Sequence, residues 1–323
     1  MYAERVTAAT RAARRYHGRV KAHLAPRDLA WILAVVALFG FSFVPIRVGL
    51  REVPPFALVA LRFFFAAVPM VFFVRRPRMP WRYVVAYGFA IGVCQFGLLF
   101  LGIQLGMPAG LSSLVIQVQV FITIGFGILF LRDRTYAHNA AGAVIAGAGI
   151  AVLAIHRLGE GTSATFASFM LVIMAAVAWA AGNIVAKKAA SAHAGDMFAL
   201  VVWSSLVPPL PLAAIAFLFE GGASAWHAVT RAGMLTWACI LFMAWGATLF
   251  GFASWAKLLH KYPTALISPF ALLIPVSGLA SGALFLGESL SPMQVAGAVL
   301  VFAGLVINVY GLRMRAWLAR KAS

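Results

Sequence analysis

The chain has 323 residues, 63% of them hydrophobic and 11% charged, with a mean hydropathy of +0.95. A soluble domain is about 45–50% apolar and about 25% charged, so a soluble fold is excluded and lipid is the solvent for most of the chain. The net charge of +18 sits in short clusters between apolar runs and at the two ends, a pattern of membrane orientation rather than of a nucleic-acid groove.

Residues 1–28 form a basic tail with seven Arg and Lys. The apolar run that follows is too long for a secretory leader and reads as a retained span. A helix crossing a bilayer core needs about 20 apolar residues. Ten such runs follow one another, at 29–50, 55–74, 83–104, 108–131, 137–156, 164–186, 197–219, 233–256, 263–286 and 292–312, before a basic tail at 313–323. Pro54-Pro55, Pro77 with Pro80, Pro108, Gly159 with Gly161, Gly221-Gly222, Pro263 and Pro292 punctuate them. The expected fold is therefore an all-α integral membrane protein of ten spans. With the N-terminus in the cytoplasm, the inner segments collect 21 of the 26 basic residues, and the outer loops collect only Arg51, Arg157 and Arg231. That asymmetry places both termini in the cytoplasm.

The chain repeats itself. "LFLRDRTYAHNAAGAV" begins at Leu129 and "LFLGESLSPMQVAGAV" at Leu284, 155 residues later. The register continues from Ala148-Gly149 to Ala303-Gly304, and Asp133 answers Glu288. The repeated segments join helices 4 and 5 and helices 9 and 10, so the chain reads as two five-helix repeats, 29–156 and 164–312. Five is odd, so the second repeat enters the membrane inverted. Arg132 and Arg134 of the first copy become Gly287 and Ser289 in the second, as the opposite side of the membrane requires. Inverted repeats are a device of secondary transporters, which bind substrate near the midplane where the repeats meet.

Five stretches carry a resemblance: "PPFALVALRFF" at Pro54, "GMPAGLSSLVIQVQVFIT" at Gly106, "WAAGNIVAKK" at Trp179, "SPFALLIPVSGLAS" at Ser268 and "GLVINVYGLR" at Gly304. Through them the chain resembles the EamA-type members of the drug/metabolite transporter superfamily over about residues 29–315. The likeness is strongest to the branch exporting O-acetylserine and cysteine. The resemblance implies two inverted repeats around a central cavity in the bacterial inner membrane, with a small amino-acid-like metabolite as substrate. A drug or aromatic compound is the alternative cargo, and a lipid-modifying enzyme the alternative class.

Polar residues within the spans are the candidates for a substrate site. Arg62 lies about two turns into helix 2, where a cation needs a partner or a cavity. Tyr87 and Gln95 belong to helix 3. In helix 4, at 100° per residue, Ser113 and Gln117 share one face, and Ser112, Gln119 and Thr123 share the opposite one. These amides either grip a zwitterion or join helices. Trp179, Gly182 and Asn183 share a face of helix 6, which places an aromatic lid beside an amide. Helix 1 repeats the layout with Phe39, Ser42, Phe43 and Arg47, and Arg47 and Lys187 can snorkel as anchors. Helix 8 carries a stripe of Trp245, Thr248, Phe252 and Trp255.

No helix centre contains an acid, so a proton relay through an embedded carboxylate is not expected. Cys94 and Cys239 lie inside apolar runs and form no disulfide framework. The sequence holds no metal, nucleotide or hydrolase motif, so neither cofactor nor metal is expected. The expected partners are the substrate and the bilayer.

Overall fold

A computed structural model describes residues 25–131, 137–159, 163–192, 197–251, 254, 255, 258, 270, 271 and 273–322. Most of the basic N-terminal tail, Arg132, Asp133, Arg134, Glu160, Asp196, Phe252, Lys257, Lys261, Pro263 and Pro269 lie outside the described residues. The described elements are all helical, and among them six are long and apolar enough to cross a membrane: Pro26–Gly49, Trp81–Gln104, Ala109–Phe130, Phe166–Ala190, Met197–Phe219 and Met234–Gly251. Shorter apolar helices cover Pro55–Val71, Ala140–Leu153, Leu273–Leu286 and Pro292–Asn308.

Proline places several breaks. The first span divides into α1 (Pro26–Phe41) and α2 (Phe43–Gly49). Pro45 lacks the N–H that would bond the Phe41 carbonyl, and the helix parts there. Pro55 opens α3 (Pro55–Val71) at a first-turn position where no N–H is missed. The third span runs through α4 (Trp81–Tyr87), a π-helical segment Gly88–Gln95, and α5 (Phe96–Gln104). The fourth runs through α6 (Ala109–Val115), a tightened turn at Ile116–Val118, and α7 (Gln119–Leu131). Then come α8 (Ala137–Gly159), α9 (Ser163–Ala192), α10 (Met197–Ser204) and α11 (Pro209–Phe219). A short helix α12 (Gly222–Arg231) occupies what the composition reads as a loop. The chain continues with α13 (Met234–Leu241), a second π-helical segment Phe242–Gly251, α14 (Leu273–Leu286) and α15 (Pro292–Ala322). Residues 313–322 continue the last helix.

The packing is reciprocal. α8 lies along α15, α11 against α3, and α14 against α6. α14 also covers α1, while α9 covers α7, α5 and the first π-helical segment. The apolar core includes Leu58, Phe100, Ile103, Leu111 and Phe169, all fully buried. Shifting Gly88–Gln95 by the 155 residues of the sequence repeat places it inside Phe242–Gly251. Both stretches of the chain thus carry the same uncommon helix form at the same place.

Candidate functional site

Arg62 is the most deeply buried charge among the described residues, with 3% of its surface exposed. Its Nε and Nη2 both donate to Oγ1 of Thr248, at 3.2 and 3.1 Å. Thr248 donates in turn to the carbonyl of Met243, five residues back along the second π-helical segment. The guanidinium stands 4.0 Å from the centre of the Phe96 ring, a cation–π contact. Nη1 is buried without a hydrogen-bond partner among the described residues.

Phe96 and Thr248 also line a small cavity, with Phe63, Tyr87, Gly88, Ile91, Gly92, Val201, Ser204 and Ser205. It holds about 20 Å³, room for about one water molecule. The first π-helical segment forms one wall. It comes so close to the kink between α10 and α11 that a methyl on Gly88 would strike the Ser204 carbonyl and one on Gly92 the Pro208 ring.

The amides form a second group. Asn183 Nδ2 donates to Gln119 Oε1 at 2.8 Å and to Thr123 Oγ1 at 3.1 Å, and Thr123 Oγ1 lies 3.3 Å from Gln119 Oε1. The Gln119–Thr123 face of helix 4 therefore meets Asn183 on α9. The other face meets α14 and the stretch before it: Ser113 Oγ donates to the Gly110 carbonyl and reaches the Pro275 carbonyl, and Gln117 Nε2 reaches the Ala271 carbonyl at 3.5 Å. Trp179 is half-buried against the main core, one turn from Asn183. Gln95 is buried at the end of the first π-helical segment.

Trp245 does not join them. It is 47% exposed, and its Nε1 donates to the Phe65 carbonyl at 2.9 Å. The expected stripe with Thr248 assumes 100° per residue. The π-helix turns less per residue, so Thr248 points inward where Trp245 does not. Arg47 ties helix ends together through the Ile103 carbonyl at 3.0 Å. The sequence reading missed Ser204 and Ser205, whose signal is the "SSLVPP" kink between α10 and α11.

Three carboxylates hold helix starts. Glu288 accepts from the N–H groups of Ala109 and Gly110 at 2.6 and 2.8 Å. Glu220 accepts from those of Phe56 and Ala57 at 2.8 and 3.2 Å. Glu52 accepts from that of Gly233 at 2.7 Å. Each lies where helix N–H groups lack intrahelical partners and the helix dipole favours negative charge. Burial pushes the Glu220 carboxyl above the usual range, against the opposing bonds from Phe56 and Ala57. The bond from Gly233, with help from Thr236, holds Glu52 below it.

The profile of the EamA-like transporter family matches the chain twice, at residues 27–155 and 167–310. A Salmonella typhimurium protein named probable amino-acid metabolite efflux pump is 43% identical over 284 residues, 88% of this chain and 95% of that protein. An Escherichia coli protein of the same name is 41% identical over 290 residues, 90% of this chain and 97% of that protein. A solved crystal structure shares the fold with a TM-score of 0.60 at 18% identity, covering 88% of this chain and 98% of that one. In both halves of its length, and by its likeness to full-length relatives, the chain belongs to the EamA-like transporter family.

Proposed function

We propose that this protein exports small amino-acid-like metabolites, of the cysteine and O-acetylserine kind, across the bacterial inner membrane by alternating access. The observation that carries the reading is where the buried polar groups pair. Arg62 and Gln119 belong to the first family match, and their partners Thr248 and Asn183 belong to the second. Both links cross between the two halves within the spans, where repeat-built transporters bind substrate. The relatives' names, which speak of amino-acid metabolites, support the cargo class.

The architecture in this proposal is ten spans, made of the six long helices and the four shorter apolar ones. They form two inverted repeats at 29–156 and 164–312, with both termini cytoplasmic. The reciprocal packing and the two π-helical segments in matching places support the inversion. All three carboxylate clasps join one half to the other, and in this topology all three sit at the outer ends of the helices. The state described is then closed to the outside, and export requires the clasps to part. The candidate site in this proposal comprises Arg62 and Thr248, the amides Gln95, Gln117, Gln119 and Asn183, and Ser113 and Trp179.

The test is a panel of labelled cysteine, O-acetylserine, threonine and phenylalanine offered to proteoliposomes. Preference for the first two supports the reading. Preference for phenylalanine, for which the cavity's Phe63, Tyr87 and Phe96 provide an aromatic lining, favours an exporter of aromatic compounds instead. Impermeant maleimide on intact cells should label cysteines placed at Ser163 and Ser224 but not at Ser191. Labelling at Ser191 would overturn the orientation.

A further inference from the structure

The stretch from α3 into α4 reads "VRRPRMPWR" from Val74 and holds Arg75, Arg76, Arg78 and Arg82. Apolar helices flank it on both sides, Pro55–Val71 and Trp81–Gln104, so it lies at the membrane surface. Setting a loop's side of the membrane takes only a number of cations, with no fixed shape. This loop has a fixed shape. Pro77 and Met79 are buried, while Arg75, Arg76 and Arg78 between and beside them are exposed. Met79 packs with Val84 of α4, Ala189 of α9 and Leu200 of α10. Trp203 of α10 donates from Nε1 to the Val74 carbonyl at 3.1 Å and meets the Trp81 ring edge-on, with centres 5.9 Å apart.

Two of the arginines rest on rings. The Arg76 guanidinium stands 4.7 Å from the centre of the Trp81 ring, and that of Arg82 stands 5.2 Å from the centre of the Tyr83 ring. A guanidinium over a ring gives up one face and keeps its in-plane N–H groups, whose fork matches a phosphate. Among the described residues, Arg75, Arg76 and Arg82 make no ion pair. α9, which packs on α4, adds Lys187 and Lys188, and the connection from α9 to α10 contains one acid, Asp196. The positive charge of these segments is therefore far from neutralised. Phe72 and Phe73, just before the arginines, are largely exposed.

We infer that this loop is a binding site for an anionic phospholipid, with the phosphate on Arg76 and Arg82 and the acyl chains along Phe72 and Phe73. A free phosphate would satisfy the arginines alone. A phospholipid also covers the apolar rings beside them, and basic segments next to a span attract anionic lipid. The stacked guanidinium groups are ordered before the lipid arrives, which lowers the entropy cost of binding. A lipid seated here braces the end of α3 and the start of α4 against α10, where Ser204 and Ser205 follow Trp203 directly and border the cavity. The leaflet concerned, the cytoplasmic one, rests on the orientation proposed above. The site itself depends on neither the orientation nor the cargo.

The experiment takes the purified full chain in detergent and adds phosphatidylglycerol, or phosphatidylcholine with or without inorganic phosphate. Native mass spectrometry counts the lipids retained, and a melting curve follows each mixture. The wild type should retain phosphatidylglycerol in preference to phosphatidylcholine and melt several degrees higher with it. The double variant Arg76→Gln, Arg82→Gln should bind phosphatidylglycerol about tenfold or more weakly, the loss expected for charged hydrogen bonds, and lose most of the shift. If that variant fails to fold, Arg76→Gln alone should show the same change at smaller amplitude. Micelles have no sides, so Arg51→Gln, Arg231→Gln, which removes as much charge elsewhere, should keep the wild-type preference. Equal behaviour of the wild type in the two lipids, or an undiminished preference in the folded loop variants, would overturn the site. So would an equal loss in the Arg51 and Arg231 control, which would reduce the effect to net charge. A shift reproduced by inorganic phosphate in phosphatidylcholine would overturn the lipid as the ligand. Each of these results leaves the export reading untouched, and failure of transport leaves this site standing.

Discussion

Gly142 lies against the carbonyl oxygen of Gly304. A methyl group added at Gly142 would stand 2.6 Å from that oxygen, and one added at Gly304 would stand 2.5 Å from the Gly142 oxygen. Gly149 meets Gly297 in the same way, at 2.7 Å from its carbonyl. These are the glycines of the repeated "AGAV" and "AG". The segment recurs because its two copies are each other's packing surface: α8 and α15 approach through bare backbone, as small residues allow between helices in lipid.

A side chain at this seam must push the helices apart. Gly149→Val should lower stability by about 1–3 kcal/mol, the usual penalty for overpacking. Gly147→Val is the control, since a methyl there meets nothing within 4 Å. Thermal unfolding in detergent should separate the two. Equal melting temperatures would contradict the seam.

Asn183 satisfies Gln119 and Thr123 together. Asn183→Leu keeps the volume but removes both bonds and leaves the Gln119 carbonyl without its shortest partner. The expected loss is about 1–3 kcal/mol, read as a drop in melting temperature. An unchanged melting temperature with weakened substrate binding would instead assign Asn183 to the substrate alone.

Glu288 links the end of α14 to the start of α6 across the two family matches. Glu288→Ala should release that end of the bundle. A cysteine at Ser113, one turn further in and fully buried, should then react faster with impermeant maleimide from outside. An unchanged labelling rate would remove Glu288 from any gate.

Glu52 and Glu220 should respond to pH in opposite directions. The Glu52 carboxyl is held below its ordinary value of 4.5 by the Gly233 bond. The stability it adds is present above that value and is lost as pH falls from there through the lowered one. Burial raises Glu220, so the folded state takes up its proton first, and stability rises as pH falls from the raised value toward 4.5. Melting curves from neutral pH downward should therefore show the deficit of Glu52→Gln shrinking and the deficit of Glu220→Gln growing. Parallel curves would contradict both assignments.

Much of this was legible in the sequence, for physical reasons. The apolar runs are long because the bilayer is thick, and among the described helices six are long and apolar enough to cross it. The repeat was visible because packing through glycine tolerates few other residues. Arg62 and the amides stood out because lipid makes isolated polar groups rare. The pairings were not legible. Arg62 and Thr248 are 186 residues apart, and Asn183 and Gln119 are 64 apart; no local pattern joins them. The π-helical segments were hidden too, because a period of 3.6 residues was assumed throughout. That assumption put Trp245 on the same face as Thr248. The serine pair escaped because hydroxyls in helices commonly bond their own backbone, as Ser204 and Ser205 do, and the sequence does not show what lies across from them.

The most direct test of the central claim is counterflow. Proteoliposomes are loaded with unlabelled cysteine and diluted into a trace of labelled cysteine, and internal label is followed with time. A carrier that alternates access to one site exchanges label inward, so label should rise above its equilibrium level and then decay, with the overshoot greatly reduced in Arg62→Gln. A wild-type time course that climbs smoothly to equilibrium, no faster than in empty liposomes, would contradict the account.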